Sequence, residues 1–225
     1  MTQPLGVVCL SGGMDSCVTA AIAAETHDPA LLHVNYGQRT EARELQAFRE
    51  IAEFYKVGKR LVVDLRHLSQ IGGSALTDRS IAVPEGNIGR EGIPPTYVPF
   101  RNANILAAAV AWAETLGARA VYIGAVEEDS SGYPDCRESF FDAYRKAVSL
   151  GTRPESGIEI VTPVIHLRKA EIVKKGAVLG APLHLTWSCY RSETLACGSC
   201  DSCLLRMRAF KEAGVPDPVP YASSR

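Results

Sequence analysis

The chain has 225 residues, 46% of them apolar and 22% charged, a globular composition that excludes a disordered or fibrous chain and fits a single domain. Twenty-four basic against twenty-five acidic residues leave a net charge of -1, so nothing global points to non-specific nucleic-acid binding. The longest apolar run, Ile105–Ala113, falls well short of the about twenty residues of a membrane span, and no basic segment followed by an apolar stretch opens the chain; the expectation is a soluble, cytoplasmic protein.

Leu5–Leu10 is an apolar run without polar interruption, the pattern of a strand buried on both faces. Ser11–Ser16 reads as a glycine-containing loop, and Cys17–Glu25 as a helix. Ala30–Asn35 is a second predicted strand. Thr40–Lys56 is an amphipathic helix, with Leu45, Phe48, Ala52 and Tyr55 at helical spacing. Arg60–Asp64 is a third strand. Residues 65–100 carry glycines, prolines and no steady period, and read as a segment covering the substrate. An alanine-rich helix over Arg101–Leu116, a strand over Ala120–Ala125, a helix over Glu138–Ser149, a strand over Ile158–Thr162 and a helix over Lys169–Leu179 complete an alternating series. Such alternation predicts an α/β fold with a parallel sheet, right-handed crossovers and helices on both faces. Ligands of these sheets bind at the carboxyl ends of the strands.

Ser11-Gly12-Gly13-Met14-Asp15-Ser16 stands where a strand meets a helix. The glycines let the backbone approach a ligand, and the helix that follows offers unpaired N–H groups to an anion. Ser11 and Ser16 add hydroxyls, so the loop suits phosphate or pyrophosphate. Asp15 repels such a ligand directly and makes sense as a magnesium ligand or as a helix cap. No Gly-Lys-Ser/Thr follows at P-loop spacing. The hexapeptide is similar to the loop of the ATP pyrophosphatases, which cleave ATP to AMP and pyrophosphate. That resemblance implies that the loop holds the leaving pyrophosphate.

Seven cysteines include the cluster Cys189, Cys197, Cys200 and Cys203. Four thiolates can surround zinc tetrahedrally in a closed, structural site. Two-residue spacings also occur in iron–sulfur patterns, but Met207 and Arg208 stand where the ferredoxin continuation needs Cys-Pro. Cys9 and Cys17 read as small buried hydrophobes. The histidines show no ligand spacing.

Further stretches extend the resemblance over nearly the whole length: Tyr36-Gly37-Gln38-Arg39 with Glu41, Thr96–Asn102, Asp129–Arg137, Lys169 with Glu171, Thr186–Tyr190 and Cys197–Arg206. Together with the loop and the cysteines they resemble the 7-cyano-7-deazaguanine synthases. Phe100 departs from that pattern, since family members often carry a small residue before the Arg-Asn pair. The resemblance implies one domain over residues 1–225. An ATP pyrophosphatase core of the adenine nucleotide alpha-hydrolase-like type, with a doubly wound five-stranded sheet, spans 1–180. A C-terminal segment with the zinc site spans 181–225. It implies ligation of ammonia to 7-carboxy-7-deazaguanine with ATP and magnesium, no direct nucleic-acid binding, and a homodimer.

The site residues follow from the same match. Leu10, Ser11, Gly12, Gly13, Asp15 and Ser16 would hold ATP, with Tyr36, Gln38 and Arg39 toward adenosine or merely forming a strand-to-helix turn. Lys169 would reach the ATP phosphates as a point charge. Arg101, a cation at a helix N-terminus, is disfavoured by the dipole unless an anion partners it; substrate carboxylate and phosphate are both open. Asn102, Asp129, Ser131, Tyr133, Asp135 and Arg137 would line the substrate pocket. Asp129 or Asp135 could accept the base's N–H donors, with Asp129 alternatively holding magnesium, and Tyr133 could stack on the base. A tRNA-modifying relative delivering sulfur or an amine, with Cys136 as its thiol, and a non-catalytic zinc interaction protein remain the competing readings.

Overall fold

A computed structural model of the chain describes residues 2–86, 92–127 and 132–222. Five strands form one parallel sheet: β1 (Leu5–Cys9), β2 (Asp28–Asn35), β3 (Arg60–Asp64), β4 (Ala120–Ile123) and β5 (Glu159–Val161), in the order β3-β2-β1-β4-β5. The order reverses at β1, which therefore marks the switch point where a ligand crevice opens. In register, Val7 of β1 faces Ala30 on one side and Val121 on the other.

The helices are α1 (Met14–Ala24), α2 (Glu41–Phe54), α3 (His67–Ile71), α4 (Arg101–Leu116), α5 (Glu138–Gly151), α6 (Lys169–Val178) and α7 (Asp201–Ala213). Alternate residues of the strands feed opposite faces, as the period of two requires. Val7, Cys9, Leu32 and Val34 pack with Leu106, Ala109 and Ala113 of α4 and Phe141 of α5. Val8, Leu10 and Leu31 pack with Cys17 and Ala20 of α1 and Phe48 and Ile51 of α2. Central β1 is thus buried on both sides, which explains its uninterrupted apolar run. Edge strand β3 alternates, with Arg60, Val62 and Asp64 turned outward.

Three expectations shift. Helix α1 begins at Met14 rather than Cys17, so Asp15 and Ser16 belong to its first turn. A short helix, α3, lies within 65–100. The described part of that segment does not cover the cavity presented below, since none of its residues lines it. Instead Ala75 and Val83 pack against Trp187, Cys189 and Cys200, and the Gly86 N–H donates to the Ser199 carbonyl at 3.2 Å.

The C-terminal residues fold onto the core. Ala209 and Phe210 of α7 share an apolar cluster with Val18 of α1 and Ile172 and Val173 of α6, so these residues serve the core rather than a free surface. Arg206 is buried, donates to both Asp217 carboxylate oxygens at 3.0–3.1 Å, and also reaches Thr186 Oγ1 at 2.7 Å and the Leu183 carbonyl at 3.2 Å. Removing one member of such a pair leaves a charge stranded, at a cost of about 3–5 kcal/mol. Asp217→Ala is therefore expected to lower the urea midpoint strongly without changing the slope of the transition. A midpoint equal to the wild type would show that the ion pair contributes nothing to stability.

Candidate active site and cysteine cluster

A cavity opens at the carboxyl ends of β1, β2 and β4. Leu10, Ser11, Gly13, Asp15 and Ser16 line it together with Tyr36, Glu44, Arg101, Tyr133, Lys169, Trp187 and Tyr190. The loop is shaped by its own hydroxyls: the Gly13 N–H donates to Ser11 Oγ at 3.2 Å, and Ser16 Oγ donates to the Gly13 carbonyl at 2.9 Å. Gly12 has φ +89°, and a Cβ there would come within 2.7 Å of the Glu44 carbonyl, so no larger residue fits. A Cβ on Gly124 would meet the Asp15 and Ser16 backbone at 2.9 Å; the missing side chain lets the end of β4 press against the first turn of α1. The result is a helix N-terminus, whose first turn leaves backbone N–H groups without intrahelical partners, at the wall of the cavity.

Lys169, the first residue of α6, brings its ammonium to Asp15 Oδ2. The other oxygen, Oδ1, is buried and has no hydrogen-bond partner. A buried, unpaired carboxylate oxygen is costly, and a divalent cation or a ligand donor would satisfy it. The residues therefore fit a magnesium ion accompanying a phosphate ligand.

Arg101 opens α4 and donates from Nη1 to Tyr36 Oη at 3.1 Å. Its guanidinium lies 5.5 Å from the Tyr36 ring centre and 5.9 Å from that of Tyr133. Just before it, Phe100 adopts φ +56°, a conformation costly for a bulky residue.

Sγ atoms of Cys189, Cys197, Cys200 and Cys203 lie within 4.8 Å of one another, and none of these cysteines is disulfide-bonded. A tetrahedron with Zn–S bonds of about 2.3 Å has edges of about 3.8 Å, and the Cys197–Cys203 separation is 3.9 Å. N–H groups of Arg191, Ser192 and Cys197 point at Cys189 Sγ at 3.4 Å. Hydrogen bonds from Cys200 and Cys203, followed by these amides, hold Cys189 well below the usual thiol value. Four converging cysteine sulfurs at this spacing fit a metal such as zinc, which binds cysteine as the thiolate. This cluster backs onto the cavity, because the Trp187 N–H donates to the Gly12 carbonyl at 2.9 Å.

Residues 6–214 match the family described as "Queuosine biosynthesis protein QueC". The chain belongs to the QueC family. A 7-cyano-7-deazaguanine synthase of Chlorobium phaeobacteroides is 57% identical, over 96% of this chain and 96% of its own length. One from Acidobacterium capsulatum is 58% identical over the same shares.

In this QueC chain the cavity gathers Leu10, Ser11, Gly13, Asp15, Ser16, Tyr36, Arg101, Asn102, Tyr133 and Lys169 from the residues singled out by sequence. Others are committed elsewhere. Gln38 is buried; its Oε1 accepts the Tyr36 N–H at 2.9 Å and its Nε2 donates to Glu44 at 3.1 Å. Arg39 donates to the carbonyls of Ala75, Asp78 and Ile81, at 2.6–3.0 Å; it anchors the 75–81 loop and does not line the cavity. Asp135 accepts the Asn102 N–H at 2.8 Å, a carboxylate neutralising the positive end of α4, and does not line the cavity. Arg137 is exposed at the start of α5. Gly12 supports the loop from behind. Asp129 and Ser131 lie outside the described residues.

Cys136 does line the cavity, but burial pushes its thiol up to about 11; Cys9 and Cys17 rise to about 12 for the same reason. None of the three is a thiolate at neutral pH, which removes the main support for a sulfur-delivering relative. Sequence reasoning missed Glu44. The signal was present: Glu44 falls in the helical stripe of Phe48 and Ile51, where a charged residue is out of place unless it faces a site. None of the helices among the described residues is long and apolar enough to cross a membrane.

Proposed function

We propose that the chain is an ATP-dependent carbon–nitrogen ligase that converts 7-carboxy-7-deazaguanine and ammonia to 7-cyano-7-deazaguanine, releasing AMP and pyrophosphate. The observation that carries this reading is the meeting of the loop, Asp15, Lys169 and Arg101 around one cavity, in a chain nearly three-fifths identical to synthases of that name.

A carboxylate is a poor electrophile. Its attack on the α-phosphorus of ATP forms a mixed anhydride as pyrophosphate leaves. Ammonia displaces AMP to give the amide; adenylation of the amide oxygen by a second ATP, with loss of AMP and protons, leaves the nitrile. Positioning and charge stabilisation provide most of the catalysis in such transfers. The loop N–H groups and Lys169 would grip the departing pyrophosphate, and Arg101 would hold the carboxylate of the substrate while Tyr36 and Tyr133 flank its ring. Asp15 Oδ1 would hold magnesium, which when bound neutralises phosphate charge. Four cysteines would hold a structural zinc. The same reading extends to a cytoplasmic homodimer, which sedimentation equilibrium tests.

The decisive experiment incubates the purified protein with ATP, magnesium, ammonium and 7-carboxy-7-deazaguanine and follows both products by mass spectrometry. Nitrile together with AMP supports the reading; no AMP from folded, metal-replete protein overturns it. Arg101→Ala is expected to raise KM for the acid about 10–100-fold, the worth of a charge-assisted hydrogen bond of about 1.5–3 kcal/mol. Unchanged steady-state kinetics would return Arg101 to a purely structural role with Tyr36.

A further inference from the structure

Forming the amide from ammonium requires a base, because ammonium has no free electron pair with which to attack. Only a few groups of the cavity can take a proton. No histidine is among its described lining residues. Cys136 is a buried thiol that holds its proton. Asp15 is engaged by Lys169. Among the described lining residues, the remaining carboxylate is that of Glu44.

Its setting differs from that of a surface glutamate. One carboxylate oxygen accepts from Thr40 Oγ1 at 2.8 Å and the other from Gln38 Nε2 at 3.1 Å. Gln38 is itself fixed by the Tyr36 N–H. The carboxylate is thereby held in one orientation, and each oxygen keeps a free lone pair. Among the described residues it forms no ion pair. Its own backbone carbonyl abuts Gly12 of the loop, so it stands beside the place where the phosphates would bind. Tyr36 and Trp187 line the same wall, their rings already facing the guanidinium groups of Arg101 and Arg43 at 5.5 and 4.8 Å.

We infer that Glu44 binds the ammonium ion and is the base that frees it for attack. An N–H bond of ammonium breaks, its pair staying on nitrogen and the proton passing to a Glu44 oxygen. That pair forms the C–N bond while the bond from the acyl carbon to AMP breaks, its pair leaving on the AMP oxygen. The nitrogen then sheds one proton to water, and Glu44 returns its own to water. Burial pushes the Glu44 carboxyl above the usual range against the pull of Thr40, Gln38 and nearby Arg101, with Glu41 adding a smaller upward effect. A carboxylate so raised is a better proton acceptor.

This role rests on the reaction proposed above, and the test separates the two. Glu44→Gln keeps the size of the side chain. Acid-dependent exchange of labelled pyrophosphate into ATP reports adenylation alone. Turnover with ammonium reports the whole sequence, and hydroxylamine, largely unprotonated at neutral pH, reports amine transfer without the deprotonation. The variant is expected to retain exchange within about threefold and to lose about 100-fold or more in ammonium-dependent turnover, with hydroxamate formation close to wild type. Exchange and turnover falling together would make Glu44 a binding or structural residue and overturn the inference. Unchanged ammonium turnover would overturn it as well. Absence of acid-dependent exchange in the wild type would instead overturn the reaction itself, and this role with it.

Discussion

Asp15→Asn is expected to abolish AMP formation, by about 100- to 1,000-fold or more, while leaving a folded protein. The magnitude follows from what removing one preorganised electrostatic group typically costs. Asp15 combines two features. One oxygen meets the Lys169 ammonium, and the other is buried without a partner. The first fixes the lysine beside the loop; the second is a buried acceptor on a residue that lines the cavity. Asparagine keeps an oxygen for Lys169 and the size of the side chain, but it lacks the charge. The stability lost is modest, since an acidic residue in a helix's first turn contributes about 0.3–1 kcal/mol. A thermal melt close to wild type with AMP release lost, measured on the same preparation, is the expected pair of results. Turnover within tenfold of wild type would remove Asp15 from the chemistry and leave it a cap on α1.

The same residue shows what the sequence could and could not convey. Alternation of strands and helices was legible because strands buried on two faces must be apolar throughout, as β1 is. The loop was legible because glycines before a helix have few other uses. Its exact end was not: Met14–Ser16 belongs to α1, since the hydroxyls of Ser11 and Ser16 close the turn early and the helix starts directly after Gly13. Arg39 and Asp135 lie off the cavity wall for a different reason. Each meets its partners across more than thirty residues of chain, Ala75 in one case and Asn102 in the other, and no local pattern announces such contacts. An arginine after a strand can reach a ligand or three loop carbonyls equally well. Phe100 was visible as a departure, and the structure supplies its physical meaning: the position before Arg101 has a left-handed φ that favours glycine. Phe100 has little to pack against besides Phe140, at 6.1 Å between ring centres, and remains 60% exposed.

Cys200→Ser is expected to have the largest effect on stability. Cys200 is fully buried, and its cluster packs with Ala47 of α2, Val83 and Trp187. Metal binding at a four-cysteine site is part of the folding free energy, about 10–16 kcal/mol in isolated zinc peptides. Even a third of that, at about 2–4 °C per kcal/mol for a chain of this size, lowers Tm by roughly 7–20 °C. Serine is close in size to cysteine, so the loss reports ligation rather than packing. Metal content by mass spectrometry should fall from one ion per chain toward none, and a strong chelator should reproduce the melting shift in the wild type. A metal-free variant that melts like the wild type would show that the cluster is not a structural metal site. A second consequence follows from the Trp187 N–H bond to the Gly12 carbonyl. The segment that a metal at the four cysteines would order also braces the Ser11–Ser16 loop from behind. Metal loss should therefore weaken ATP binding before the chain unfolds, measurable as a raised Kd at temperatures well below the melt. Unaltered ATP affinity in the metal-depleted, still folded protein would confine the metal to the C-terminal segment and leave the loop shaped by Ser11, Gly12 and Ser16 alone.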